Sequence, residues 1–376
     1  MATTQTPLRI GYVPEHFSTP LHFAQKHFGL NATLIPFPSG TGHMITSIRS
    51  GETDVGIGLT EGWVAGLGKS DLEGDGGYKI VGTYVETPLC WAISTGANRP
   101  LNGIADLKNG KIGVSRIGSG SYVMGFVLAD EQGWLNESQS SEGPFEVIPL
   151  QTFEKLRNGV NDSTVDFFMW EHFTSKRYYD NGEIKRIGEI YTPWSSWKIV
   201  ASTNVLQSSE DQRLNDMFEK IDKGVKYFEQ NQDEAVRYIS TSLDYSEEDA
   251  KEWLKTVKFA RSTKKVDVAV IQKTVTTLQK AKVLGDDEMK AYTYHNMWSM
   301  WYKDALAVKG ISHLTQLRYF HSQYAARLFL NYNRPCSNNR DVIKILWDKH
   351  LMPSADKILV GDERDRTYLR KAKLGC

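Results

Sequence analysis

Cysteine is scarce: the 376 residues hold three, Cys90, Cys336 and Cys376, far apart and in no ligand-like spacing. That pattern excludes a disulfide framework and a zinc site, and it suits a reducing compartment. Long apolar runs are missing as well, so no segment reads as a membrane span. The opening MATTQTP has neither a basic n-region nor an apolar h-region. The expectation is a cytoplasmic protein with no membrane insertion. Net charge is absent too, with Lys+Arg and Asp+Glu both at 45. No overall field then draws the chain to nucleic acid or acidic lipid.

The familiar catalytic signatures fail in turn. Gly118-Ser119-Gly120 is followed by Val123 where a dinucleotide fingerprint needs its third glycine. No G-x-x-x-x-G-K-[ST] occurs, which removes a P-loop, and no G-x-S-x-G surrounds the serines of that turn. His16, His22 and His27 are spaced five or six apart, which does not stack ligands on one helical turn. No metal is expected. His22 and His27 read as helix surface or packing residues.

What is present begins with Lys111–Trp134. A short apolar strand (Lys111–Val114) empties through Ser115-Arg116-Ile117-Gly118-Ser119-Gly120-Ser121 into a helix whose apolar face is Val123, Phe126 and Val127. Such a turn aims free backbone N–H groups, the positive end of a helix dipole and serine hydroxyls at one point, which makes an anion site. Arg116 adds a charge-assisted bond if it faces the same spot. The same residues also fit a plain tight turn capped by Ser119 or Ser121. Both readings stand at this point.

Along the chain, strands are predicted at Leu8–Val13, Ala32–Phe37 and Asp54–Leu59, each followed by a helix: Leu21–Phe28 ending at Gly29, His43–Arg49, and one opening at Thr60-Glu61. This β-α-β-α-β-α order implies a parallel sheet covered by helices, with ligands outside the carboxyl ends of its strands. Tyr12–His16, Ser39–Gly42 and Thr60-Glu61 occupy those ends. Strands follow at Tyr78–Val85 and Leu89–Ser94, and the pattern then restarts. It runs through Glu146–Pro149, a helix Phe153–Gly159, a strand Val165–Met169 ending at Trp170-Glu171, a helix from Thr174, and Ile187–Tyr191. Lys198–Ala201 crosses back, and helices are expected at 211–229, 232–243, 246–257, 266–281 and 286–302. From Lys309 on, thirteen Lys/Arg face six Asp/Glu. An amphipathic helix fits 314–329, and the tail reads as a basic appendage or one laid over the surface. It lacks the interleaved aromatics of a nucleic-acid binder.

LRIGYVPEHFSTPLHFAQKHFGL, SGTGHMITSIRSGETDVGIGLTEG and ADLKNGKIGVSRIGSGSYVM, in that order and spacing, carry a resemblance. The region from Leu8 to Tyr302 resembles type 2 periplasmic-binding-protein-like chains of the nitrate, sulfonate and taurine group and the related thiamine-pyrimidine-precursor proteins. It looks closest to intracellular fungal members of that fold. The resemblance implies an α/β fold of two lobes, each a mostly parallel sheet flanked by helices, with a ligand cleft between them. Lobe I would comprise 8–93 and 199–304, lobe II 94–198, and the basic tail 305–376. It implies one cleft wall from Tyr12, His16, Ser39, Gly40, Thr41, Gly42, Thr60 and Glu61. The other would come from Ser115, Arg116, Ser119, Gly120, Ser121, Trp170, Glu171 and Trp194.

The implied partner is a small molecule with an anionic group. Tyr12, Trp170 and Trp194 would stack on its flat or apolar body. Glu61 and Glu171 would repel a purely anionic guest, which favours a zwitterionic or heteroaromatic one such as a thiamine precursor. His16 fits either ligand contact or a hydrogen-bonded loop histidine, and Glu61 either the ligand or its own helix dipole. Some relatives are enzymes that make the thiamine pyrimidine from a lysine-held pyridoxal phosphate and carry a cysteine-rich iron motif. Here the cysteine cluster is absent, and the His43–Gly51 helix has no lysine. A non-catalytic binder without a cofactor is therefore the leading expectation, and the pyrimidine synthase is the alternative.

Overall fold

The computed structural model describes residues 6–68, 76–136, 143–207 and 212–285. The helices expected at 286–302 and 314–329 and the basic tail from 305 lie outside the described residues.

The first lobe opens with β1 (Leu8–Tyr12), α1 (Thr19–Phe28), β2 (Ala32–Pro36), α2 (Thr41–Arg49), β3 (Val55–Leu59), α3 (Thr60–Leu67) and β4 (Tyr78–Val85). The chain then crosses into β5 (Cys90–Gly96), β6 (Lys111–Val114), α4 (Gly120–Glu131), β7 (Glu146–Pro149), α5 (Phe153–Asn161), β8 (Phe167–Glu171), α6 (His172–Asp180) and β9 (Ile184–Tyr191). It returns through β10 (Trp197–Ser202) and the short α7 (Thr203–Leu206). The helices α8 (Arg213–Gln230), α9 (Gln232–Ser242), α10 (Glu247–Leu254) and α11 (Val268–Lys280) follow.

Two five-stranded sheets result, ordered β2-β1-β3-β10-β4 and β7-β6-β8-β5-β9. Each holds a parallel trio, then one antiparallel strand, then an outer strand running with the trio. The antiparallel strand of each sheet is the one that has just crossed from the other. The two lobes thus exchange a strand each and share one apolar core, with a smaller cluster under α5.

Local chemistry explains the elements. Arg9 on β1 bonds Asp54 at the foot of β3 through Nε (3.1 Å) and Nη2 (2.7 Å), fixing those neighbours in register. Helix α1 ends where Gly29 turns left-handed. Helix α8 buries Leu214, Met217, Phe218, Ile221, Val225 and Phe228 on one stripe and packs along α1.

Several expected boundaries move. β5 pairs with β8 and β9, so a division at 93/94 falls inside a strand of the second sheet, and one at 198/199 falls inside β10. The crossings run through 86–89 and 192–196 instead. Helix α6 starts at His172 rather than Thr174, because the Glu171 carboxylate caps it and accepts the Thr174 N–H at 2.6 Å. β9 begins at Ile184, three residues earlier than its alternation suggests, along the edge of β5.

Candidate ligand-binding site

Between the lobes lies a cavity of about 890 Å³. The loop after β2 and the start of α2 supply Ser39, Gly40, Thr41, Gly42 and His43, while the loop after β6 and the start of α4 supply Ser115, Arg116, Ser119, Gly120 and Ser121. Glu15, Trp91, Phe153, Trp170, Glu171 and Trp197 complete most of the wall.

Two helix N-termini therefore open on one space. At α2 the packing sets the position. Leu59 donates its N–H to Thr41 Oγ1 at 2.9 Å, and a Cβ on Gly58 would stand 2.8 Å from that oxygen. Glycine in β3 is what lets the helix start sit directly on the strand. At α4, Ser119 caps the helix by accepting the Tyr122 N–H, and its hydroxyl lies 3.0 Å from that of Ser121. The earliest N–H groups of both helices have no intrahelical acceptor and remain for a guest. Arg116 reaches across from the second lobe and lies against Gly42 of the first.

The acidic part of the wall has a different character. Burial, and then the charge of Glu171, push Glu15 up to about 8. Burial pushes Glu171 up to about 7 against the Thr174 and Phe173 bonds that favour its charged form. Apolar surface comes from Trp91 and Trp197, both nearly buried, and from Trp170, which stacks on Phe153 at 4.8 Å and 16°.

Five residues anticipated from sequence stand off this wall. Tyr12 turns edge-on to His22 at 5.2 Å, on the α1 side of the sheet. His16 belongs to the core rather than the cleft rim: it is 1% exposed, edge-on to Trp253 at 4.3 Å and to Tyr245 at 4.5 Å. A one-residue shift within the same loop gives Glu15 the cavity and His16 the interior. Thr60 and Glu61 are joint residues. Thr60 donates Oγ1–H to the Ser195 carbonyl at 2.6 Å, and Glu61 Oε2 accepts the Trp194 indole N–H at 3.0 Å. Trp194 is 3% exposed and packs in that joint. Burial pushes Glu61 up to about 7.

The sequence reading missed Glu15, His43, Trp91, Phe153 and Trp197. Glu15 sat in a loop already singled out, and His43 opens the helix expected after another, two residues inside α2. Trp91 and Trp197 lie on the crossing strands, and nothing in their periodicity says which lobe receives them. Among the described residues, no group of three or more His, Cys, Asp or Glu side chains is set to hold a metal ion. No described helix is long and apolar enough to cross a membrane.

Comparison with known proteins fits this architecture. A model of the Ca3427-like periplasmic-binding-protein family matches residues 91–190. The solved Candida albicans CA3427 gene product, described as defining a new family with the generic periplasmic binding protein fold, is 42% identical. The alignment covers 77% of this chain and 95% of that one, at a TM-score of 0.69. The chain belongs to the CA3427 family. Beyond that family the fold alone is shared. The alkanesulfonate-binding protein SsuA of Xanthomonas axonopodis pv. citri, bound to MOPS, is 14% identical over 79% of this chain and 99% of that one, at a TM-score of 0.62. The periplasmic nitrate-binding protein NrtA of Synechocystis is 12% identical over 82% and 90%, at 0.60. No curated protein sequence matches. This CA3427-family chain therefore has the two-lobed periplasmic-binding-protein architecture.

Proposed function

We propose that this CA3427-family protein is a receptor for a small molecule bearing an anionic group, held between its lobes. One observation carries the reading: the starts of α2 and α4, one from each lobe, line the same cavity, with Arg116 between them. A sulfonate, a phosphate ester or a thiamine-precursor-like heteroaromatic anion is chemically suited to those donors. Two fold neighbours are named for binding an alkanesulfonate and nitrate, which supports the class of guest without fixing the molecule. The sparse cysteines, with Cys90 free, support a role inside the cell.

The synthase alternative requires a lysine able to hold pyridoxal phosphate on the cavity. Among the described residues none lines it. The fully buried Lys198 instead gives its Nζ to Thr83 and Ser195 hydroxyls, each at 2.8 Å. The residues do not fit that cofactor, and the reading is of a binder.

Thermal melting with a panel of alkyl and aryl sulfonates and phosphate monoesters tests the proposal. A binding member at 100 times its Kd adds about 2.7 kcal/mol to the folded state. The melting point then rises by roughly 4–5 °C for a domain of this size. Arg116→Ala should lose most of that shift. A panel without any shift, together with native mass spectra of the purified protein free of anionic adducts, contradicts it.

A further inference from the structure

The donors account for one end of a guest. The same cavity also carries Glu15 and Glu171, two carboxyl groups whose presence in an anion receptor is otherwise an electrostatic cost. Glu171 is 7% exposed, and one oxygen, Oε2, is taken up by the backbone and hydroxyl of Thr174 at 2.6 and 2.8 Å. Its other oxygen, Oε1, has His16 Nε2 behind it at 3.8 Å, beyond hydrogen-bond reach. His16 is 1% exposed, and neither of its ring nitrogens has a hydrogen-bond partner. Glu15 makes no side-chain hydrogen bond or ion pair among the described residues, although burial and Glu171 act on it strongly.

Unpaired polar groups at this depth are costly, and a buried carboxylate is the costliest of them. Here an imidazole without a hydrogen-bond partner stands 3.8 Å from Oε1 of a carboxyl group that itself faces the cavity. A donor arriving from the cavity side satisfies Glu15 and Glu171 together. A positively charged donor also returns both groups to their ionised form, which removes the penalty of their mutual proximity. Tightening by about 0.6 Å or more then brings His16 Nε2–H into hydrogen-bond range of Glu171.

We propose that Glu15 and Glu171, backed by His16, form a subsite for a protonated nitrogen, so that the guest carries an anion and a cation at opposite ends. This rests on the anion-receptor reading and narrows it to zwitterions such as aminosulfonates and aminoalkyl phosphates. The aromatic wall of Trp170 and Phe153 takes the body between the two charged ends.

Calorimetric titration at pH 7 with shape-matched pairs tests it: 4-(aminomethyl)benzenesulfonate against 4-methylbenzenesulfonate, and 2-aminoethyl phosphate against ethyl phosphate. The nitrogen-bearing member of at least one pair should bind about tenfold tighter or more, as expected for one charge-assisted pair. Glu15→Gln and Glu171→Gln should each bring that ratio towards one by weakening the nitrogen-bearing member relative to its nitrogen-free partner. Because Glu171 also caps α6, Glu15→Gln is the variant free of that structural duty. Equal binding of both members in every pair overturns the subsite, as does a preference that survives both substitutions. No binding of any of the four compounds overturns the anion reading beneath it, a result distinct from loss of preference alone.

Discussion

Gly120→Val is expected to weaken binding of an anionic guest by about 100-fold or more and to lower the melting point. Gly120 is the first residue of α4, where the free N–H groups of the second lobe meet the cavity. A Cβ there would stand 2.8 and 2.9 Å from ring atoms of the nearly buried Trp91 and 3.0 Å from Glu61 Oε1. Neither neighbour can yield cheaply. Trp91 is 5% exposed and belongs to the apolar core as well as the cavity wall, and Glu61 is tied to Trp194. The branched side chain therefore wedges α4 away from α3 and carries its N–H donors out of reach. Two charge-assisted bonds at roughly 1.5–3 kcal/mol each set the scale of the lost affinity. Overpacking of this kind costs about 1–3 kcal/mol of stability. Gly103→Ala is the matched control, since a Cβ at Gly103 meets nothing within 4 Å. Titration of both variants against the wild type, alongside melting curves, reads the two effects separately.

Trp253→Ala is expected to cost the most stability of any single truncation near the site, about 3–5 kcal/mol. Trp253 on α10 is 2% exposed and meets His16, Phe17, Phe228 and Phe259 with ring centroids 4.3, 5.2, 5.9 and 6.3 Å away. These aromatic contacts tie the returning helices to the loop after β1, the loop that presents Glu15 to the cavity. A void here would loosen the support behind Glu171 as well, because His16 stands between the two. For a domain of this size the loss corresponds to a fall of roughly 5–8 °C in melting temperature. A change under about 2 °C by calorimetry would show that the aromatic cluster is not carrying the joint.

The alternation of apolar residues and the Gly/Ser turns made most strands and both helix starts legible. LRIGYV, DVGIGL and KIGV are short, β-branched or glycine-spaced and mostly interior, and each empties into a polar turn at the carboxyl edge. Eleven of the residues anticipated for the cleft line one cavity: Ser39, Gly40, Thr41, Gly42, Ser115, Arg116, Ser119, Gly120, Ser121, Trp170 and Glu171. Backbone donors are legible because a turn between strand and helix can point its N–H groups in only a few directions. Side-chain direction in an irregular loop is not. Glu15 and His16 are neighbours, and which of them faces the cavity depends on Trp253 and Tyr245, more than two hundred residues further on. Strand exchange was similarly opaque. Whether β5 belongs to the first sheet or the second is decided by its pairing with β8 and β9, which local sequence does not encode.

The lobes also meet outside the cavity, where Lys176 on α6 reaches Asp249 on α10 at 3.1 Å and Lys280 on α11 reaches Asp130 on α4 at 2.9 Å. The Lys280–Asp130 pair is exposed and contributes about 0–1 kcal/mol, whereas Asp249 is buried beneath Lys176.

The most direct measurement is a titration of isotopically labelled protein with 4-(aminomethyl)benzenesulfonate, following the backbone amides of Thr41, Gly42, Gly120 and Ser121 by nuclear magnetic resonance. If one anion is held by both helix starts, all four amide protons move downfield together and fit a single Kd. Movement confined to the α2 pair or to the α4 pair, or two clusters fitting different constants, would show that the helix starts do not share a guest.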